Sequence, residues 1–236
     1  MRLSIVVPTL DEAADIVPTL ARLHPLRAAG HEVIVVDGGS TDGTAALAAP
    51  LADQVLTARH GRAPQMNAGA ARARGDALLF LHADTCLPER AAELVAAALC
   101  RRPWGRFDVR IAGRPRVLRL VAALMNLRSR VTGIATGDQA IFVRRSAFAA
   151  VGGFPDQPLM EDIELSRRLK RLGRPACIGE RAVTSGRRWE TQGPWRTILL
   201  MWRLRLDYWR GVPAERLADR YRSRPGSIRP ARGGIR

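Results

Sequence analysis

Lysine is almost missing from this chain. Lys170 is its single example in 236 residues, so arginine supplies nearly all the positive charge behind a formal net charge of +16. Such a surface attracts polyanions before any specific contact forms, which makes nucleic acid or an anionic membrane the first reading. The skew to one basic residue type weakens that reading, because genome base composition can produce it. Placement still matters, since nine arginines fall between Arg101 and Arg130 against the single acid Asp108. An anionic partner is therefore retained, with no specific nucleic acid expected.

Cysteine is scarce as well. Cys86, Cys100 and Cys177 form an odd set without CxxC spacing, which argues for reduced thiols and against a disulfide framework or a zinc site. No stretch approaches the roughly 18–20 uninterrupted apolar residues of a membrane-spanning helix. The chain opens directly on the strand-like RLSIVVP, with no signal peptide, so a cytoplasmic, soluble protein is expected. Also absent is a GxGxxG after the first strand. The turn there reads VVPTLDEA (6–13), whose Pro8, Asp11 and Glu12 do not suit the close pyrophosphate approach that glycines permit, and this argues against a nicotinamide enzyme.

What the chain does contain is enough apolar residue, 47%, for a sizeable core. Strand and helix patterns alternate, with strands near 2–7, 32–36, 54–57 and 77–81 and helices near 12–28, 42–49, 63–74 and 88–101. This predicts an α/β fold with a mostly parallel central sheet and helices on both faces. Beyond residue 102 the pattern becomes mixed. Strands are expected at 106–112 and 139–143, and helices at 116–130, 161–172 and 194–210. One domain, 1–222, thus divides into a nucleotide-binding half (1–101) and an acceptor half (102–222). A basic tail, 223–236, is expected to be disordered.

Two apolar strands end abruptly on acids. LLFLHAD (78–84) runs into His82 and Asp84, and VIVVDGGSTDGT (33–44) stops at Asp37 before a glycine-rich turn. Parallel sheets place ligands beyond the carboxyl ends of their strands, so both acids are expected at a ligand edge, on neighbouring strands. Asp37 suits a base N–H or a ribose hydroxyl. Asp84 is a hard oxygen ligand for Mg²⁺ or Mn²⁺ bridging two phosphates. GRAPQMNAGAARARGD (61–76) aims Arg62 and a helix N-terminus at the same place, a geometry that anions favour, while Asn67 and Gly69 suit helix packing on the sheet. Glu161 and Asp162 open another helix after the apolar Leu159 and Met160, where a carboxylate can serve as general base. Downstream, Arg187, Arg188 and Trp189 suit a departing phosphate and ring stacking.

In this order the segments VVPTLDEA, VIVVDGGSTDGT, GRAPQMNAGAARARGD, LLFLHAD, TGDQAIFVRR, GGFPDQPLMEDIEL and SGRRW resemble the inverting family-two nucleotide-sugar glycosyltransferases, which have a GT-A type, Rossmann-like fold. LHAD, GDQAIF, LMED and SGRRW look closest to a small bacterial subgroup labelled as arsenosugar-biosynthesis or radical-SAM/selenodomain-associated glycosyltransferases. The resemblance implies a metal-dependent, non-processive enzyme that moves a sugar from a nucleotide diphosphate donor to a hydroxyl acceptor. It implies Pro8, Thr9, Glu12 and Asp37 as the nucleotide pocket, Arg62 beside the diphosphate and Asp84 on the metal. Asp162 would be the base, supported by Glu161, and Gly137, Asp138 and Gln139 would face sugar or acceptor. His82 stands where the family usually has aspartate, and can still meet ribose or metal. Ser185 replaces the glutamine of processive relatives.

Two other classes remain in view. A nucleotidyltransferase would use a similar nucleotide-binding half and release pyrophosphate. A basic nucleic-acid-binding or membrane-surface protein would account for the charge. The amphipathic stretches 116–128 and 194–210 suit an inner-membrane interface, packing on the sheet, or a second subunit in a homo-oligomer.

Overall fold

The computed structural model describes residues 1–222, with all side chains in that span except those of Arg188, Gln192 and Arg222. The tail expected at 223–236 lies outside the described residues.

The first half, residues 1–101, follows its sequence pattern closely. Strands β1 (Leu3–Thr9) and β2 (Glu32–Asp37) are buried along their whole length, as continuous apolar runs in a parallel sheet require. They join β3 (Gln54–Thr57) and β4 (Ala77–Phe80) in the order β3-β2-β1-β4, with all three pairings parallel. The connecting helices are α1 (Ala13–Ala28), α2 (Thr44–Ala48) and α3 (Arg62–Arg72), and α4 (Ala91–Arg101) follows β4. One core layer packs Ile5, Val7 and Val35 against Ile16 and Leu20 of α1 and Val95 and Leu99 of α4. The opposite layer packs Val6 and Val36 against Ala63 and Met66 of α3.

One expectation needs correction: β2 and β4 are not neighbours, because β1 lies between them. Asp37 and Asp84 therefore flank the end of β1. The order also places a topological switch at β1/β4, and such switch points are where sheets of this kind bind ligands, beyond the carboxyl ends of the strands. Gly69 packs on the sheet as its position suggested, since a Cβ there would collide with Val6 and stand 3.0 Å from Val36 Cγ2. Asn67 does something else. Its amide donates to the Phe154 carbonyl at 2.9 Å and accepts from the Phe154 N–H at 3.0 Å, which pins the loop leading to Glu161 and Asp162.

The second half extends the sheet through β7 (Phe142–Arg144), β6 (Trp104–Ala112), β8 (Ala176–Ser185) and the two-residue β5 (Thr85–Cys86), in that order beyond β4. Here β4/β7, β6/β7 and β5/β8 are antiparallel and β6/β8 is parallel, so the sheet is mixed as expected. The strand expected at 139–143 starts only at Phe142. Before it, Thr136 and Gln139 close a capping box around the 3-10 turn Gly137–Gln139, which takes those residues out of the ladder. Strand β8 was not anticipated. Its pairing passes from Phe107–Ile178 to Asp108–Arg181, so Gly179 and Glu180 bulge out and break the two-residue alternation that would have marked a strand.

The remaining helices are α5 (Val117–Thr132), α6 (Arg145–Ala150), α7 (Glu161–Leu169), α8 (Arg187–Gln192), α9 (Pro194–Trp209) and α10 (Ala214–Arg222). Leu159 and Met160, the apolar approach to the two acids, pack with Leu200 and Leu204 of α9 and Leu217 of α10.

Candidate active site

Beyond β1 and β2 two loops are laced together by short polar side chains. The Asp11 N–H donates to Ser40 Oγ at 2.9 Å, the Glu12 N–H to Thr44 Oγ1 at 2.9 Å and the Ala13 N–H to Asp42 Oδ2 at 2.9 Å. In return the Thr41 N–H donates to Asp11 Oδ1 at 2.8 Å, with Asp11 in the left-handed region at φ 52°. Such a conformation is uncommon for a non-glycine residue, and its carboxylate bond across the loop helps to fix it. Asp37 is spent on the same frame. Its Oδ2 accepts from the N–H groups of Gly39 and Ser40 at 3.0 and 2.9 Å, and its Oδ1 accepts from the Ser40 hydroxyl. The Thr9 hydroxyl lies 3.5 Å from Asp37 Oδ1, while Pro8 sits buried in β1.

Gln65, a residue sequence reasoning passed over, caps both strands by donating from Nε2 to the carbonyls of Thr9 at 2.6 Å and Val36 at 2.8 Å. It is a buried polar side chain in an otherwise alanine-rich helix, and that contrast is the signal that could have found it.

Asp84 stands past β4, where the strip of sheet joining β5 and β8 begins. Thr85 Oγ1 donates to Asp84 Oδ1 at 3.2 Å, and the Ser185 N–H donates to the Asp84 carbonyl at 3.2 Å. Its field reaches Glu12, whose carboxyl is raised by burial and by Asp84 and Asp15, against the pull of Arg187. Arg187 spans this group, with Nη1 2.8 Å from Asp15 Oδ2 and Nη2 3.5 Å from Glu12 Oε2. Glu12 Oε2 is buried without a hydrogen bond among the described residues. Asp15 is a second residue the sequence reading missed. Trp189 is half-buried and packs against the cluster of Val109, Ile111 and Leu118. The side chain of Arg188 lies outside the described set.

A second group gathers His82, Gly137, Asp138, Glu161 and Asp162. His82 Nδ1 lies 3.4 Å from Asp138 Oδ1. Its ring rests on Gly137, where a Cβ would collide with Nε2 and Cε1, so only glycine allows this approach. The Gly137 N–H donates to Asp162 Oδ2 at 3.0 Å, which joins the 3-10 turn to α7. Just before the helix, Met160 adopts φ 65°, an uncommon left-handed conformation held by its packing. Gln139 is buried and turned inward, its Oε1 accepting from the Thr136 N–H at 3.2 Å, so the structure gives it to the turn.

Charge is balanced unevenly across this cleft. Burial raises the Glu161 carboxyl, and Asp162 beside it adds to the rise while Arg62 opposes it. Asp138 is pushed up by its surroundings, but His82, Arg62 and Arg205 outweigh that and hold it below the ordinary carboxylate range. Arg62, in the first turn of α3, answers four acids from three segments. Arg62 is an exposed residue, and against the partial loss of hydration of its head group Glu161, Asp138, Asp162 and Asp84 act through space to hold it above the usual arginine range. Arg62 thus links the Asp84 end of the cleft to the Asp162 end.

Among the described residues no group of three or more His, Cys, Asp and Glu side chains could cage a metal ion. Mg²⁺ is commonly held by one or two carboxylates and completed by substrate phosphates and water, so Asp84 fits an ion shared with a diphosphate. Glu12 lies within the field of Asp84, and Arg187 already stands 3.5 Å from its Oε2.

Comparison with known proteins gives the fold and the family. The curated beta-monoglucosyldiacylglycerol synthase of Synechocystis is 27% identical over 210 residues, which cover 77% of this chain and 43% of that protein. This chain therefore spans less than half the length of that relative. Among solved structures, a mannosyltransferase from Pyrobaculum calidifontis, in complex with GDP-Man and Mn²⁺, is 26% identical with a TM-score of 0.59. The match covers 77% of this chain and 56% of that one. TarS residues 1–349 of S. aureus, in complex with UDP-GlcNAc, share the fold at 18% identity and a TM-score of 0.63, over 78% of this chain and 58% of that one. No helix among the described residues is long and apolar enough to cross a membrane. The family model of glycosyl transferase family 2 matches residues 4–149, the strands, loops and acids from β1 to α6, and the chain belongs to that family.

Proposed function

We propose that this protein transfers a sugar from a nucleoside diphosphate donor to a hydroxyl acceptor, with inversion at the anomeric carbon and one sugar per encounter. The observation that carries the reading is Arg62, set among Asp84, Asp138, Glu161 and Asp162 at the carboxyl edge of the sheet. That is one cation and four carboxylates at the place where this topology binds ligands.

The donor half would seat the nucleotide over Pro8, Thr9, Glu12 and Asp37, with Arg62, Arg187 and Arg188 near the diphosphate and His82 toward the ribose. Asp84 would hold Mg²⁺ or Mn²⁺ against the phosphates, where such an ion neutralises charge on the leaving group. Asp162, oriented by the Gly137 N–H, takes the proton of the acceptor hydroxyl. As that O–H bond breaks, the oxygen bonds to the anomeric carbon, and the bond from that carbon to the phosphate oxygen breaks on the opposite side. The nucleoside diphosphate leaves with the electron pair. Glu161 would support Asp162 from the neighbouring position, and Gly137 and Asp138 would form the wall beside sugar and acceptor, with Gln139 holding their turn from within. Placement within the arsenosugar or radical-SAM/selenodomain-associated subgroup belongs to the same proposal and rests on LHAD, GDQAIF, LMED and SGRRW.

A cytoplasmic protein that touches the inner face of a membrane is the second element of the reading. Helix α5 exposes Leu120, Leu124, Leu127 and Val131, and α9 exposes Trp195 at 69%, Trp202 at 65% and Trp209 at 83%. Arg116, Arg119 and Arg130 border the first stripe, and Arg196, Arg203 and Arg210 the second. Tryptophan and aliphatic residues ringed by arginine suit an anionic bilayer surface. Co-flotation with phosphatidylglycerol vesicles at low salt is expected, and its absence would remove this element.

The main test is product analysis with UDP-, GDP-, dTDP- and CDP-sugars and Mn²⁺. Release of nucleoside diphosphate supports transfer, whereas release of pyrophosphate from a nucleoside triphosphate would assign a nucleotidyltransferase.

A further inference from the structure

Two arginines near the catalytic carboxylates have no role in the reading above. Arg128 belongs to α5 and Arg205 to α9. Nε and Nη2 of Arg128 are buried and have no hydrogen-bond partner among the described residues. Leaving donors of a charged group unpaired in the interior is costly, so such a side chain needs a reason to persist.

Its neighbour Arg106 shows what a structural arginine looks like in this fold. Arg106 is fully buried, and it donates from Nε to Ser129 Oγ at 3.1 Å, from Nη1 to Asp108 and from Nη2 to the Asn126 carbonyl at 3.2 Å. Every nitrogen of that guanidinium is used. Arg128 lies within its electrostatic reach and also within that of Arg205, so it carries two like charges beside its own. Together with burial they lower Arg128 to about 10. The carboxylates that act on both Arg128 and Arg205 are Asp138 and Asp162, whereas Asp84 acts on Arg62, Arg187 and Glu12. Geometry places the pair there too: Asn126, two residues before Arg128, accepts from Gln139 Nε2 at 3.4 Å, and Leu204, next to Arg205, packs with Met160 just before Glu161 and Asp162, so both arginines belong to the Asp138–Asp162 end of the site.

The same two residues sit at a boundary. Arg128 is one turn beyond exposed Leu124 and next to buried Ser129, and Arg205 lies between exposed Trp202 and Trp209 and next to buried Leu204. Each stands where an exposed apolar stripe meets the buried face of its helix.

We infer that Arg128 and Arg205 form a binding site for an anionic group of the acceptor, a phosphate close to the accepting hydroxyl. This deepens, and rests on, the glycosyltransferase reading. Arginine forks match phosphate oxygens in paired, charge-assisted hydrogen bonds, which would satisfy the free donors of Arg128. A phosphate held there places a neighbouring hydroxyl beside Asp162. The phosphate can come from a soluble ester or from a lipid headgroup at the adjoining apolar stripes.

The test is calorimetric titration of inorganic phosphate and of glycerol 3-phosphate into the full chain. It is run at about 0.15 M salt, where diffuse attraction is screened. Wild type is compared with Arg128→Gln, Arg205→Gln and their double variant, and with a control of equal charge, Arg101→Gln with Arg102→Gln, two exposed residues at the end of α4. The double variant should bind at least about tenfold more weakly, with the control unchanged. Unaltered binding in the double variant, or an equal loss in the control, would overturn the site.

Thermal stability supplies a second readout. Arg128→Met should melt no lower than wild type, because it removes an unpaired charge, whereas Arg106→Met should melt lower. A fall for Arg128→Met as large as for Arg106→Met would make Arg128 a structural residue and sink the proposal. Vesicles containing phosphatidic acid separate the sources. Binding to them that weakens in the double variant beyond the control assigns a lipid phosphate, and weakening confined to glycerol 3-phosphate assigns a soluble ester. Stabilisation by a nucleoside diphosphate with Mn²⁺ is recorded for each variant. Its absence in wild type would fault the donor reading, while its presence without arginine-dependent phosphate binding faults this site alone.

Discussion

The backbone N–H of Gly137 donates to Oδ2 of Asp162 at 3.0 Å, and on its other side Gly137 supports the ring of His82. One residue without a side chain thus spaces the carboxylate assigned as base from the imidazole paired with Asp138. Gly137→Ala should disturb both contacts at once. Overpacking at a filled site costs about 1–3 kcal/mol, and misplacement near the reacting atoms can cost about 100-fold in rate. Kinetics and melting of Gly137→Ala, His82→Ala and the double variant would check this. The added methyl should cost clearly less once the ring is gone, and equal costs in both backgrounds would refute the contact as the cause.

Asp162→Asn keeps the shape of the side chain and its place at the start of α7, but removes the proton acceptor. Transfer should fall by about 100- to 10,000-fold, the range of a general base. Stabilisation by the donor nucleotide should stay near wild type. Transfer at the wild-type rate would show that another group takes the proton.

Asp84→Ala addresses the other end of the cleft. A ligand that binds only the native state raises its melting temperature, so wild type should be stabilised more by a nucleoside diphosphate with Mn²⁺ than without. In Asp84→Ala the increment due to Mn²⁺ should vanish while the metal-free part remains. A full Mn²⁺ increment in the variant would place the ion elsewhere.

Much of the donor half was legible because burial there follows sequence closely. Strands such as IVV and VIVV are buried on both faces, and the acids Asp37 and Asp84 interrupt them where the strands end. What sequence alone could not supply was partnership. Asp37 reads as a ligand-facing acid, yet the amides of Gly39 and Ser40 already occupy one of its oxygens. Gln139 lies in a conspicuous GDQ, yet its side chain closes the turn. Arg106 and Arg128 are alike in a chain crowded with arginine, and only the hydrogen bonds of one and the free donors of the other tell them apart. Strand β8 escaped because Gly179 and Glu180 bulge from the ladder, a feature set by the partner strand and not by local propensity.

Glu161 provides a test of the electrostatics through pH. Its carboxyl is raised in the fold by burial and by Asp162, with Arg62 opposing, so the folded protein favours the protonated form more than the unfolded chain does. The sign follows from proton linkage. The stability this carboxyl contributes is fully present below its unfolded pKa and is lost as pH rises through its folded value. Glu161→Gln cannot ionise and escapes that loss. Measured at about pH 4, 6 and 8, spanning and exceeding the ordinary carboxylate range, the melting temperature of Glu161→Gln should gain on wild type as pH rises. Asp138 and the other groups of the cleft are common to both proteins and largely cancel in the difference. A difference that stays flat or shrinks with pH would mean that Arg62, and not burial, governs the charge on Glu161.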